Sequence, residues 1–184
     1  MLFALRKHDL ALGLGDIPNH FASFRNHNSS RIRILDTKHR CVERGFCLLY
    51  TSCTGCIHCG YEGPCVQKDG VDAIRAKILS ADMIVFATPL YYYGMSAQLK
   101  ALLDRFCAFN SSIQKKRMRS ALISVAWNSD DWTFEALMAH YQTLTRYLNL
   151  TDMGTVLGYG CGTPSMTRRS PYPQQAYALG RGLR

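Results

Sequence analysis

Four of the eight cysteines in this chain of 184 residues lie within one short segment. Cys53, Cys56, Cys59 and Cys65 form the pattern C-x2-C-x2-C-x5-C. Two-residue spacers allow successive sulfur atoms to converge on one metal centre, and the tandem spacing is more typical of bacterial iron–sulfur ligation than of paired zinc knuckles. From the residues alone, an iron–sulfur cluster, a zinc ion and unmetallated thiols all remain open.

A second candidate site is the tyrosine-rich loop from Thr88 to Ser96, which follows the apolar run Met83–Ala87. Open α/β sheets bind ligands at the carboxyl ends of their strands. Three consecutive tyrosines in such a loop offer flat rings to a planar heterocycle and hydroxyls to its polar edge. Pro89 stiffens the turn, and Gly94 allows backbone to pass close to a ligand. The alternative is an aromatic subunit interface or a turn that caps the core.

Two further loops carry weaker signals. The glycine-rich stretch Gly158–Thr163 follows a short strand at the same edge of the expected sheet, although ordinary turn chemistry also explains it. Nearer the N-terminus, the hydroxyl, amide and guanidinium groups of Ser23, Arg25, Asn28 and Ser30 can wrap a phosphate. Polar runs of this kind are more commonly plain loops.

Composition excludes several classes of protein. The chain is 47% hydrophobic, enough for a sizeable core, and carries a net charge of +9. The densest basic run, Lys115–Arg119, has no aromatic or base-reading partners, so we expect no nucleic-acid partner. The longest apolar run, Met83–Met95, is shorter than the ~18 residues of a membrane span, and we find no targeting segment. We therefore expect a cytoplasmic protein with no membrane partner, in which clustered cysteines are ligands or redox groups.

Alternating strand and helix patterns begin near residue 70 and predict βαβ units with a parallel sheet. Buried strands read as continuous apolar runs, whereas the helices show apolar residues at spacings of three and four. Ser96 is expected to cap one helix, and Asp69 with Gly70 another. The predicted elements are a helix over 71–79, a strand over 83–87, a helix after Ser96, a strand over 121–127, a helix over 134–148, a strand over 155–158 and a helix over 173–183.

The opening third of the chain is less regular. Leu10–Leu14 is the best substitute for a first strand, while Ile32–Glu43 suggests a helix and Phe46–Tyr50 a strand. We therefore expect a single domain over residues 1–184 whose segment 1–52 is atypical and whose first strand is atypical or missing.

Several runs of residues 53–184 resemble the NADPH-dependent FMN reductase and iron–sulfur flavoprotein family. Together these runs contain the motif A-T-P-x-Y…S-x-x-L-K-x-x-x-D-R. The runs are Cys53–Cys65, Ala81–Tyr91, Met95–Lys100, Leu102–Arg105 and Gly160–Pro164. The resemblance implies an α/β fold, a flavodoxin-like doubly wound parallel sheet in the order 2-1-3-4-5 with helices on both faces. It places FMN at the switch between the first and third strands.

The resemblance also implies roles for the candidate residues. Those lining the isoalloxazine ring would be Thr88, Pro89, Leu90, Tyr91, Tyr92 and Gly94. The family's phosphate loop would align with Ser23, Arg25, Asn28 and Ser30. The four clustered cysteines match the compact motif that holds a 4Fe–4S cluster in the iron–sulfur members, whereas other relatives keep similar cysteines without a cluster.

The function that follows is an FMN-dependent NAD(P)H oxidoreductase that passes hydride through FMN to a small-molecule acceptor, a quinone or flavin, or to a redox protein. One alternative is an iron–sulfur flavoprotein that moves electrons between a ferredoxin-like donor and FMN through a 4Fe–4S cluster. An alternative of another class is a flavin-free binding or assembly protein with a zinc or empty cysteine site. We expect a homodimer or homotetramer.

Overall fold

The computed structural model describes residues 2–5, 34–35 and 52–182, and these contain a five-stranded sheet in the order β2-β1-β3-β4-β5. This order confirms the flavodoxin-like arrangement expected from the sequence. The strands are β1 (Leu2–Leu5), β2 (Ile34–Leu35), β3 (Met83–Pro89), β4 (Arg119–Val125) and β5 (Thr151–Gly158).

Helices follow each of the last three strands. No helix within the described ranges is long and apolar enough to cross a membrane. The α-helices are α1 (Val71–Leu79), α2 (Ala97–Asp104), α3 (Asn110–Lys116), α4 (Glu135–Tyr147), α5 (Pro164–Arg169) and α6 (Tyr172–Gly182), and 3₁₀ segments span Arg105–Phe109 and Asp131–Phe134.

The first strand differs in direction from the rest of the sheet. β3, β4 and β5 are mutually parallel, whereas β1 is antiparallel to β3 and pairs Leu2 with Phe86. The expectation of an atypical first strand is thus confirmed. The apolar residues that pair with β3 are Leu2–Leu5, and the sequence reading overlooked them because charged residues follow at once. The candidate strand Leu10–Leu14 lies outside the described residues.

Two further element predictions need correction. Ile34 and Leu35 form the short strand β2, which is antiparallel to β1, and not part of a helix over 32–43. β4 ends at Val125, so Ala126 and Trp127 lie in the following loop. The Ala126 N–H donates to the carbonyl of Gly158, the last residue of β5, whereas the Ala126 carbonyl accepts from Cys161 in the loop after β5.

β3 is buried on both of its faces, as its unbroken apolar sequence predicts. Ile84 and Phe86 belong to a core formed with α1, α2 and α4, whereas Val85 belongs to a smaller core on the opposite face beneath α6. Helices therefore cover both faces of the sheet, and the core lies on either side of β3 and β4.

A buried hydroxyl network joins α4 to the start of β4 and β5. The Tyr141 hydroxyl lies 2.9 Å from Asp152 Oδ1 and 3.0 Å from Ser120 Oγ. Burial raises the pKa of Tyr141 above its ordinary value, and the Asp152 carboxylate adds to the effect. The phenol therefore stays protonated and donates its hydrogen bond to the carboxylate.

We predict that Tyr141→Phe lowers the free energy of unfolding by about 1–2 kcal/mol, because it leaves the buried Ser120 hydroxyl without this partner and removes a bond to a carboxylate. Urea unfolding followed by circular dichroism measures the change. Tyr177→Phe is the matched control, since Tyr177 is an exposed tyrosine on α6. Equal stabilities of the two variants would contradict the assigned role.

Candidate functional site

The tyrosine loop is closed at its base by a single threonine. The Thr88 hydroxyl accepts a hydrogen bond from the Ser96 N–H at 3.0 Å and donates to the Pro89 carbonyl at 2.9 Å. Ser96 Oγ in turn accepts from the N–H of Leu99, which confirms the predicted cap of α2. The buried Thr88 side chain thus joins the two ends of the loop, and Tyr91, Tyr92 and Tyr93 form its exposed part.

The tip of this loop is a tight turn with strained backbone. Tyr91 and Gly94 exchange two backbone hydrogen bonds of 3.1 and 3.0 Å around Tyr92 and Tyr93, whose φ angles are +46° and +63°. Two positive φ values define a type I′ turn, which normally takes Asn or Gly. For tyrosine this left-handed backbone costs roughly 1–2 kcal/mol per residue. Strain of this kind concentrates at ligand sites, and the Tyr92 side chain is fully exposed here.

The loop after β4 supports the tyrosine turn from the side. The Tyr93 hydroxyl accepts a bond of 3.4 Å from the Asn128 amide, and the Tyr93 ring lies 5.0 Å from that of Trp132. Trp127 and Trp132 are both exposed. Sequence reasoning missed these residues because it assigned Trp127 to a strand over 121–127 and gave the residues after it no role in a site. Their place directly after a parallel strand was the signal that could have found them.

The glycine-rich loop after β5 completes the same edge. Cys161 N–H donates to the Ala126 carbonyl at 2.7 Å, and Gly160 N–H donates to the Asn128 carbonyl at 3.0 Å. A Cβ atom at Gly162 would lie 1.7 Å from the Trp127 ring, so only glycine allows this indole to pack on the loop. The loop after β4 therefore contacts both the glycine-rich loop and the tyrosine loop, and the two lie at the same edge of the sheet, as predicted.

These three loops form one surface, here called the aromatic edge. Among its side chains, Tyr91, Tyr92 and Trp127 are exposed while Pro89 and Leu90 are half-buried. Exposed rings on a braced backbone fit a planar heterocycle such as isoalloxazine. The phosphate-loop candidates Ser23, Arg25, Asn28 and Ser30 lie outside the described residues, so their role stays a prediction.

The cysteine loop, residues 52–66, is connected to the core through Arg105. This guanidinium is 1% exposed and binds Asp69 through both terminal nitrogens, at 2.7 and 3.2 Å. It also donates to Gln67 Oε1 at 3.1 Å. Asp69 Oδ1 accepts the Val71 N–H as well, so one carboxylate binds the arginine and caps α1.

A cavity of about 380 Å³ lies between the cysteine loop and the 3₁₀ segment Arg105–Phe109; we call it the cysteine pocket. Its lining includes all four predicted cysteines and a fifth, Cys107. Within the described part of the chain, no three His, Cys, Asp or Glu side chains are arranged to hold a metal ion. Cys53 Sγ instead lies 3.5 Å from Cys107 Sγ. The four-thiolate ligand set is therefore not assembled around one centre.

One thiol in this loop is activated by its local geometry. Hydrogen bonds from the His58 backbone N–H, the His58 imidazole and the Thr54 hydroxyl lower the pKa of Cys56 from 9.0 to about 7. Since Cys56 is exposed, a large share of it is thiolate near neutral pH. His58 therefore lowers the pKa of a neighbouring cysteine.

The family model for NADPH-dependent FMN reductase matches residues 33–159 of this chain. The chain belongs to this family. The match runs from before β2 to the glycine-rich loop, so it includes the cysteine loop and most of the aromatic edge of this FMN reductase family member.

Individual relatives match shorter segments. An iron–sulfur flavoprotein of Methanocaldococcus jannaschii is 49% identical over 53 residues, which are 29% of this chain and 28% of that protein. An FMN-dependent NADH:quinone oxidoreductase of Idiomarina loihiensis is 30% identical over 102 residues, 45% of this chain and 42% of that one. The chain thus spans less than half the length of either relative. The solved structure of a Trp repressor binding protein from Bacillus subtilis is similar with a TM-score of 0.51 and 25% identity, covering 61% of this chain and 71% of that one.

We predict that Asp69→Asn lowers the free energy of unfolding by about 3 kcal/mol, because it removes the countercharge of a buried guanidinium. Asparagine keeps a side-chain oxygen for the Val71 N–H, so the loss reports the ion pair. Asp104→Asn is the matched control, since its pair with Lys100 is exposed and such pairs contribute less than about 1 kcal/mol. Chemical unfolding of both variants provides the comparison, and similar losses would refute the prediction.

We predict that the alkylation rate of Cys56 rises with pH around a midpoint of about 7, because only the thiolate reacts and its pKa is lowered to about 7. His58→Ala should raise this midpoint only part of the way back to 9.0, because it removes the imidazole but keeps the backbone N–H. Iodoacetamide labelling with peptide mass spectrometry measures the rate at Cys56. A midpoint that His58→Ala leaves unchanged would show that the imidazole has no effect.

Proposed function

We propose that this chain is an FMN-dependent NAD(P)H oxidoreductase of the flavin or quinone reductase type. The observation that carries the proposal is the aromatic edge at the carboxyl ends of β3, β4 and β5, where this sheet type binds ligands. When bound, FMN supplies the chemistry of accepting hydride from NAD(P)H and donating electrons to an acceptor. The protein supplies binding and orientation.

The residues of the edge divide these tasks. Tyr91, Tyr92 and Trp127 offer the exposed rings that would flank the isoalloxazine, and Pro89 and Leu90 would extend this apolar contact. The buried Thr88 and the backbone turn at Gly94 would keep the rings in position, because both are tied into the loop by hydrogen bonds. Ser23, Arg25, Asn28 and Ser30 are proposed to bind the FMN phosphate.

The acceptor proposed for the electrons is a small molecule, a quinone or a second flavin, with a redox protein as the other choice. The quinone proposal draws support from the name of the Idiomarina relative. A homodimer or homotetramer is proposed because several large aromatic side chains of the edge are exposed to solvent.

A second candidate is an iron–sulfur flavoprotein that passes electrons between a ferredoxin-like donor and FMN. The similarity to the Methanocaldococcus protein of that name favours it. The ligands of its 4Fe–4S cluster would be Cys53, Cys56, Cys59 and Cys65. Because these thiols are not arranged around one centre among the described residues, we derive no electron-transfer step through a cluster.

The visible spectrum of the purified full chain, with metal analysis, tests both candidates. The flavin reductase predicts flavin bands without iron, and their bleaching when NADPH is added without oxygen. A broad sulfur-to-iron absorption with stoichiometric iron would support the second candidate. A colourless protein that refuses added FMN and retains zinc would overturn both in favour of a flavin-free binding or assembly protein.

We predict that Tyr92→Asn raises the Kd for FMN roughly two- to tenfold, because an aromatic stacking contact contributes about 0.5–1.5 kcal/mol. The free energy of unfolding should not fall, since asparagine adopts a positive φ more readily than tyrosine. Quenching of flavin fluorescence and urea unfolding measure the two effects.

Tyr61→Asn is the matched control for this prediction. Tyr61 is also exposed and has a φ of +64°, but it lies in the cysteine loop. Its replacement should leave the FMN Kd unchanged. Equal effects of the two substitutions on FMN binding would argue against contact between Tyr92 and the flavin.

A further inference from the structure

The cysteine pocket contains a thiol pair that the proposed flavin chemistry does not use. Cys53 and Cys107 are 54 positions apart in the chain, yet their sulfur atoms lie 3.5 Å apart. Every residue that lines the pocket comes from the cysteine loop, Gln67 or the segment Asp104–Ala108. None of the described loops of the aromatic edge contributes to it.

The two thiols differ in how firmly they are held. Cys107 lies in the 3₁₀ segment Arg105–Phe109, which is fixed by buried Arg105 and by the contact between the Phe106 and Phe109 rings at 5.1 Å. Cys53 is exposed and lies in a segment without regular secondary structure. A disulfide bond is ~2.05 Å long, so the sulfur atoms need to approach by about 1.5 Å. The loop can supply this movement while the 3₁₀ segment stays in place.

The exposure of the two thiols sets the order in which they would react. Cys53 is open to a dissolved oxidant, whereas Cys107 is half-buried. An exposed thiol that reacts first, with a second thiol close enough to resolve the product, is the arrangement of redox-active cysteine pairs.

We propose that Cys53 and Cys107 form a reversible disulfide, which makes the cysteine pocket a thiol–disulfide exchange site for a small-molecule disulfide of the glutathione type. The Cys53 thiolate attacks one sulfur of that disulfide and releases the first small thiol. The Cys107 thiol then attacks the Cys53 sulfur in the mixed disulfide, and its proton goes to the small thiolate that leaves as the second thiol. The protein loses two electrons and two thiol protons, and the small disulfide gains them as two thiols.

This bond has a consequence for metal binding. A disulfide at Cys53 removes one sulfur from the C-x2-C-x2-C-x5-C set, so the same molecule cannot use all four thiolates as ligands. It also ties the cysteine loop to the 3₁₀ segment that contains Arg105. The proposal does not depend on FMN, and its test requires no flavin activity.

The test uses the reduced full chain, oxidised glutathione as the probe and rapid alkylation of the remaining thiols. Glutathione that reacts with the exposed Cys56 thiolate is counted as a separate mass addition. Molecules that carry no glutathione should lose about 2 Da before alkylation, the two thiol hydrogens. Non-reducing digestion should give one dominant cross-link, between the peptides that contain Cys53 and Cys107. Dithiothreitol should reverse both changes. This mapping on the unaltered chain stands even where a variant fails to fold.

Three serine variants sharpen the assignment. Cys53→Ser and Cys107→Ser should both lose the cross-link, and Cys107→Ser should retain glutathione on Cys53 because the resolving thiol is gone. Cys65→Ser, which alters another cysteine of the pocket, should keep the cross-link. A dominant cross-link from Cys53 to any other cysteine, absence of a cross-link, or iron or zinc bound through Cys53 in the purified protein would each overturn the proposal.

Discussion

The buried ion pair between Arg105 and Asp69 is the interaction on which the arrangement of the cysteine pocket depends. A guanidinium that is 1% exposed is stable in the interior only with a charged partner, and Asp69 accepts two hydrogen bonds from it. The same carboxylate caps α1, and the same arginine begins the 3₁₀ segment that contains Cys107. One charge pair thus fixes the start of α1, the end of α2 and the base of the cysteine loop.

Helix α2 connects the aromatic edge to the cysteine pocket. The helix begins after Ser96, which Thr88 holds against the end of β3, and ends where Arg105 enters the core. Its eight residues correspond to about 12 Å of helix. The candidate flavin surface and the thiol pair are therefore built at opposite ends of one short helix. The two surfaces thus share a scaffold but have separate linings.

The aromatic edge shows how local strain and long-range bracing are combined. Left-handed backbone at Tyr92 and Tyr93 is unfavourable for tyrosine, yet one hydrogen bond from Asn128 and packing against Trp132, both at Tyr93, hold the turn in place. The bracing comes from a loop more than thirty residues further along the chain. This bracing fixes the backbone that carries Tyr92, so the turn itself needs little further ordering when a ligand binds.

The sequence by itself determined the features that depend on neighbouring residues. The alternation of apolar strands with amphipathic helices predicted β3 and α1, and Ser96 was recognisable as a cap because it bonds only three residues ahead. The motif around the tyrosine loop also indicated the family. These signals are local because the spacing of apolar residues and the hydrogen bond of a helix cap both involve residues close together in sequence.

Tertiary structure alone decided the features that join distant segments. The reversed direction of β1, the part of Trp127 in the aromatic edge and the pairing of Cys53 with Cys107 each link residues far apart in sequence. A spacing of cysteines shows which thiols could converge, but the backbone path and the buried charge at Arg105 decide which of them meet. The cysteine motif therefore indicated a thiol-rich site, while the fold placed a fifth cysteine beside it.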